Sequence, residues 1–143
     1  MRELPRQLTT AELVPLFSGR TRLVEELAAR EDPLRVAEEV ALALPEADQV
    51  AALATHPRIG EPSEEQRGAE PEVLAELARL NDAYEQRFGF EFVVFVNGRT
   101  RAQLLPSLRE RLERERADEL EAGLRELCAI ARARWEQGWT LTT

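Results

Sequence analysis

The sequence predicts an all-α protein: a single domain over residues 1–143, built as a bundle of about seven to eight helices with one short extended segment near 90–96. Three observations carry this. Capping-box patterns recur before apolar runs, at Thr9-x-x-Glu12, Ser63-Glu64-Glu65-Gln66 and Thr100-x-x-Gln103. Apolar residues follow helical spacing over most of the chain, as in Val73, Leu74, Leu77, Leu80 and Tyr84. Only one stretch, Phe90-Glu91-Phe92-Val93-Val94-Phe95-Val96, reads locally as a strand, and no second strand of similar strength exists to pair with it.

Taken in order, Thr9 caps a short first helix that Pro15 bends and Gly19 ends. A second helix follows from about Thr21 to Ala29, with Leu23, Val24, Leu27 and Ala28 on one face. Asp32-Pro33 is a cap followed by proline at the first helical position, opening a helix to Leu44. Pro45 begins another, with Val50, Leu53 and Ala54 inward. It ends at Thr55-His56-Pro57, because the residue before a proline is pushed out of the α region. Pro71 opens a long helix to about Phe88, stopped by Gly89. The extended segment ends in Asn97-Gly98, a turn signature. Thr100 caps a helix that Pro106 should kink or restart, and the last helix runs from about Asp118 to Trp135.

Composition removes whole classes of chemistry. All 19 basic residues are arginine, so no lysine can form a Schiff base. One histidine and one cysteine cannot build a zinc site from the usual nitrogen and sulfur ligands, and they exclude an intrachain disulfide. The net charge of −8 argues against nucleic acid and anionic membrane as partners. Arg109, Arg111, Arg114 and Arg116 alternate with glutamates and read as a solvated helix face. No apolar run approaches the ~20 residues of a membrane span, and residues 1–15 lack the apolar core of a secretory signal. The expected location is the cytoplasm.

The chemistry-bearing candidate is His56, the chain's sole imidazole and its one side chain with an ordinary pKa near neutrality. At a helix C-terminus an imidazolium would be favoured by the dipole, and a carboxylate among Glu61, Glu64 and Glu65 would raise its pKa. The structural alternative is a histidine that caps helix carbonyls. Arg134 lies on the apolar stripe of the last helix, which sets it apart from a surface ion pair.

These pieces form a larger pattern. His56-Pro57-Arg58-Ile59-Gly60, then Ser63 and Glu65-Gln66, then Leu80-Asn81, Tyr84, Phe88-Gly89-Phe90-x-Phe92-Val93-Val94 and Gly98-Arg99 resemble the 2-oxo-4-hydroxy-4-carboxy-5-ureidoimidazoline (OHCU) decarboxylases of urate breakdown. Arg111-Leu112-Glu113 and Ile130-Ala131-Arg132-Ala133-Arg134 are similar to that family's closing region. One residue separates Ser63 from Glu65, where the family usually has two. The resemblance implies an all-α fold, a homodimer, no cofactor, and conversion of the small molecule OHCU to (S)-allantoin and CO₂. It implies that His56 and Glu65 are catalytic, with His56 handling a proton and Glu65 orienting it. It implies substrate binding by Pro57, Ser63, Gln66, Arg134 and the segment Phe92, Val93, Val94, Phe95 and Val96, whose backbone would meet the ureido and ring amides. Two other readings keep the same fold: a non-enzymatic helical interaction module, and a hydrolase or isomerase of a related ureide with His56 as general base.

Overall fold

Helix α1 (Thr10–Phe17) starts where the capping box says it should: the Thr9 hydroxyl accepts from the Glu12 amide, and the Glu12 carboxylate accepts from the Thr9 amide. The computed structural model describes residues 7–56 and 71–138, and among them it contains seven helices and no strand. The others are α2 (Arg22–Ala28), α3 (Pro33–Ala43), α4 (Glu46–Leu53), α5 (Pro71–Phe88), α6 (Arg101–Leu112) and α7 (Arg116–Glu136). The helix expected to open at Ser63 lies outside the described residues. No helix among the described residues is long and apolar enough to cross a membrane.

Several local expectations are corrected. Pro106 neither kinks nor restarts α6, which runs unbroken from Arg101 to Leu112. Pro106 and Ala102 are both exposed, so water can solvate the carbonyl that loses its partner. Ala54 is exposed rather than inward, because it is the C-cap that follows α4; Leu53 is buried as expected, together with Ala52. The Asp32 side chain makes no capping hydrogen bond, and its backbone carbonyl alone receives the first turn of α3. Helix α7 begins two residues earlier than Asp118.

Helix α7 is the central rod. It packs against α1, α3 and α4, while α5 and α6 form a separate antiparallel pair. Its buried face carries Leu120, Leu124, Leu127, Ala131 and Trp135 at helical spacing. Gly123 lets Leu53 of α4 sit against it: a Cβ there would stand 3.3 Å from Leu53 Cδ2.

The α5–α6 pair is joined to α7 through a buried polar cluster. Glu119 of α7 has no exposed surface, and its Oε1 accepts from the Tyr84 hydroxyl at 2.6 Å and from Arg111 Nε at 2.7 Å. Arg111 NH1 donates to the Val93 carbonyl at 2.9 Å, and its guanidinium lies 4.5 Å from the Phe92 ring centroid. Arg111 is therefore buried, not part of a solvated helix face. Burial and the Glu119 carboxylate push the Tyr84 hydroxyl pKa upward, so tyrosine acts as a donor at all ordinary pH.

The segment 90–96 is extended and unpaired, as the sequence predicts. Side chains take the place of a ladder: Arg111 serves Val93 O, Glu126 accepts from Phe95 N at 3.3 Å, and Arg99 NH2 donates to Phe95 O at 2.6 Å. Asn97 and Gly98 both adopt left-handed backbone (φ 49° and 78°), which returns the Arg99 amide to Val96 O. This is the turn geometry the Asn-Gly pair favours, used without a hairpin.

Removing Glu119 strands a buried guanidinium. Glu119→Ala should cost about 3–5 kcal/mol, and Tyr84→Phe about 2 kcal/mol, the worth of one hydrogen bond to a charged group. Denaturant unfolding of the two variants measures both; equal and small losses would contradict the cluster's role.

Candidate active site

His56 follows the C-terminal end of α4, and the chain there is fixed from both sides. The Thr55 hydroxyl donates to carbonyl oxygens at 2.9 Å, those of Phe17 at the end of α1 and Ala52 in its own helix. Gly19, just past α1, approaches so closely that a Cβ would stand 2.9 Å from Thr55 Cγ2. Gly19 was legible as a helix break; its second duty, closeness to Thr55, was not. The His56 amide closes the turn on Leu53 O at 3.4 Å.

The His56 side chain is buried, at 7% exposure, and its Nε2 has no hydrogen-bond partner among the described residues. Its pKa is lowered from the ordinary 6.5 to about 4, first by burial and second by the positive charge of Arg134. The ring is thus neutral at physiological pH, and the shift runs opposite to the one a helix dipole or a carboxylate neighbour would give. Desolvation and the nearby guanidinium set this direction, and Glu61, Glu64 and Glu65 lie outside the described residues.

Arg134 comes from the last turn of α7 and is 5% exposed. Its NH1 donates to Ser18 Oγ at 2.6 Å, Pro15 O at 3.2 Å and Leu16 O at 3.3 Å. The guanidinium therefore closes the C-terminus of α1 as well as facing His56. Helix ends leave carbonyls without intrahelical partners, and a cation there is favoured.

Of the expected site residues, the structure brings His56 and Arg134 within electrostatic reach of each other. Pro57, Ser63, Glu65 and Gln66 lie outside the described residues. Phe92, Val93 and Val94 are buried, with Phe95 and Val96 partly so. The Phe92 ring joins an aromatic cluster, 5.2 Å from Tyr84 centroid to centroid. Much of the segment's backbone is already committed: Val93 O, Phe95 N, Phe95 O and Val96 O bond within the protein. An unpaired extended segment must satisfy its own buried polar groups first. Sequence reasoning missed Ser18 and Thr55, which hold the site's two charged or titratable members. A lone serine before glycine carries no signal that would have found them. Cys128 is fully buried, and burial pushes its thiol up to about 12, so it packs rather than reacts.

The fold and site together define an all-helical domain that presents one neutral, buried histidine beside one buried arginine. The chain belongs to the OHCU decarboxylase family: the family model described as OHCU decarboxylase matches residues 2–136. Among curated proteins it is 36% identical over 91 residues to "Uric acid degradation bifunctional protein PucL" of Bacillus subtilis, covering 55% of this chain and 18% of that protein. It is 40% identical over 62 residues to "Uric acid degradation bifunctional protein TTL" of Arabidopsis thaliana, covering 43% of this chain and 19% of that protein. The chain thus spans less than a fifth of these two relatives. A solved structure titled "Crystal structure of OHCU decarboxylase in the presence of (S)-allantoin" superposes with a TM-score of 0.78 at 25% identity, covering 90% of this chain and 98% of that one. "Crystal structure of (S)-allantoin synthase" shares the fold, with a TM-score of 0.70 at 19% identity over 90% of this chain and 48% of that one.

The depressed histidine pKa has a consequence for stability. Between pH 6.5 and about 4 the unfolded chain takes up a proton that the folded chain refuses. Stability is therefore complete above pH 6.5 and falls as the pH drops to the folded value, by about 3 kcal/mol in all. Unfolding free energies of wild type and His56→Asn, compared from pH 7 to 4, should diverge by that amount in the variant's favour as pH falls. A constant difference across the window would contradict a buried neutral ring.

Proposed function

We propose that this chain catalyses the cofactor-independent decarboxylation of OHCU to (S)-allantoin and CO₂ in urate breakdown. We further propose that it acts as a cytoplasmic homodimer whose chains each form one such domain over residues 1–143. The observation that carries the reading is the buried, uncharged His56 beside Arg134 in a chain that matches the family over residues 2–136.

The chemistry suits these residues. In OHCU a ring imine lies β to the carboxylate. The C–C bond to the carboxylate breaks, its electron pair flows toward the imine, whose nitrogen takes up a proton, and CO₂ leaves; the resulting enol becomes the keto form as its hydroxyl proton is removed and a proton is delivered to the ring carbon. The substrate supplies its own electron sink, which is consistent with a chain that contains no lysine. The protein's task is to orient the carboxylate out of the ring plane and to place dipoles and a proton acceptor. A neutral His56 accepts the proton of the substrate hydroxyl. Glu65 orients the imidazole, and Arg134 pairs with an anionic edge of the substrate. Pro57, Ser63, Gln66 and the segment from Phe92 to Val96 complete the walls, the segment through whatever backbone groups its internal bonds leave to the substrate.

OHCU generated enzymatically in situ, with allantoin followed by circular dichroism, tests this. The wild type should give the (S) signal faster than the spontaneous reaction. His56→Asn should fold and lower the rate about 10²–10⁴-fold, the usual share of general acid–base catalysis. A wild-type rate from His56→Asn would remove the imidazole from the catalytic role, and a wild type no faster than the spontaneous reaction would favour the interaction-module reading.

A further inference from the structure

Helix α1 ends in a way that backbone chemistry alone does not favour. Its C-terminal cap, Ser18, sits in the left-handed region at φ 64°, ψ 18°. Glycine takes that conformation at no steric cost, whereas a residue with a Cβ is strained there. The adjacent residue is a glycine, but Gly19 is occupied with the close approach to Thr55. The strained position is thus filled by a residue with a hydroxyl. That hydroxyl makes the shortest of the three contacts received by Arg134 NH1, 2.6 Å against 3.2 and 3.3 Å to the carbonyls of Pro15 and Leu16. An NH1 group has two hydrogens. Three acceptors for two hydrogens leave NH1 fully engaged, with Ser18 Oγ its nearest partner.

We infer that Ser18 is a positioning residue: its hydroxyl, with the last carbonyls of α1, fixes the plane of the Arg134 guanidinium beside His56, so that Arg134 meets the substrate already oriented. This rests on the decarboxylase reading for its kinetic consequence but not for its geometric one. A guanidinium is planar by delocalisation, so one nitrogen held by several acceptors keeps the whole group from swinging about the Cδ–Nε bond, and a pre-oriented fork loses less freedom on meeting an anion. The same hold keeps the positive charge next to the imidazole, where it helps to keep the ring neutral.

Ser18→Gly separates this role from a merely structural one, because glycine relieves the backbone strain while deleting the hydroxyl. The full-length variant should melt at or above the wild-type temperature. Its KM for OHCU should rise about tenfold with kcat within about twofold, the scale of one charge-assisted hydrogen bond. The single histidine gives a second readout that needs no substrate: its ring resonances, titrated by NMR, should move their midpoint up from the wild-type value toward 6.5 as the guanidinium leaves its fixed place. Ser18→Ala should show the same KM and NMR changes with a lower melting temperature. Wild-type KM and an unmoved His56 midpoint in Ser18→Gly would overturn the inference. A wild-type chain that makes no allantoin would overturn the decarboxylase reading instead, and the NMR titration would still decide the role of Ser18.

Discussion

Helix α7 buries a carboxylate in its first turn and a guanidinium in its last, and the molecule is organised around those two charges. Glu119 and Arg134 are fifteen residues apart, about 22 Å along a helix that rises 1.5 Å per residue. Each complements the dipole end it occupies. Each also needs partners from elsewhere in the chain, since a buried charge without them is costly. Glu119 finds them in Tyr84 of α5 and Arg111 of α6, and so fastens that pair to the rod. Arg134 finds them at the end of α1, and so fastens the N-terminal helices. The apolar stripe between the two supplies cohesion, while the charged ends set register and orientation.

The extended segment depends on the first of these anchors. Without a neighbouring strand its backbone groups would be buried and unpaired, a cost that a helical protein ordinarily avoids by having no such segment. Here arginine side chains stand in for a ladder: Arg111 reaches Val93 O, and Arg99 turns back onto Phe95 O and Val96 O. Arg116 adds a further tie, donating to Phe88 O while its guanidinium covers the Phe90 ring at 5.2 Å. A chain whose cations are all arginine suits this architecture, because a guanidinium can bond a carbonyl and lie over an aromatic face at once.

What the sequence revealed follows from which interactions are local. Capping boxes at Thr9 and Thr100, the stop at Gly89 and the helical spacing of α5 are decided within a few residues, and they are found where expected. The absence of a second strand was equally visible in composition. The Tyr84–Glu119–Arg111 cluster was not, because its members are 35 and eight residues apart and two of them look like ordinary surface charges. Pairing every charge in 109–116 with its sequence neighbour hid the one arginine that turns inward. At the site, His56 and Arg134 could be singled out by scarcity and by position on an apolar stripe. Their mutual electrostatics could not, since neither the burial of the imidazole nor the hold of Ser18 on the guanidinium leaves a local trace. The result is a ring whose pKa moves down rather than up.

The neutral ring shapes the chemistry. A ring that stays neutral well below pH 6.5 is in its proton-accepting form throughout the physiological range, while burial and the arginine that would also hold the substrate make it a weaker base than a free imidazole. The pH dependence of kcat/KM for OHCU, measured on the wild type from pH 8 to 5, tests this most directly. A neutral histidine with a pKa of about 4 acting as proton acceptor predicts a profile that stays level through pH 6.5 and on down to about pH 5. A limb centred at 6.5 or above, or a rate that climbs as the pH falls, would contradict it.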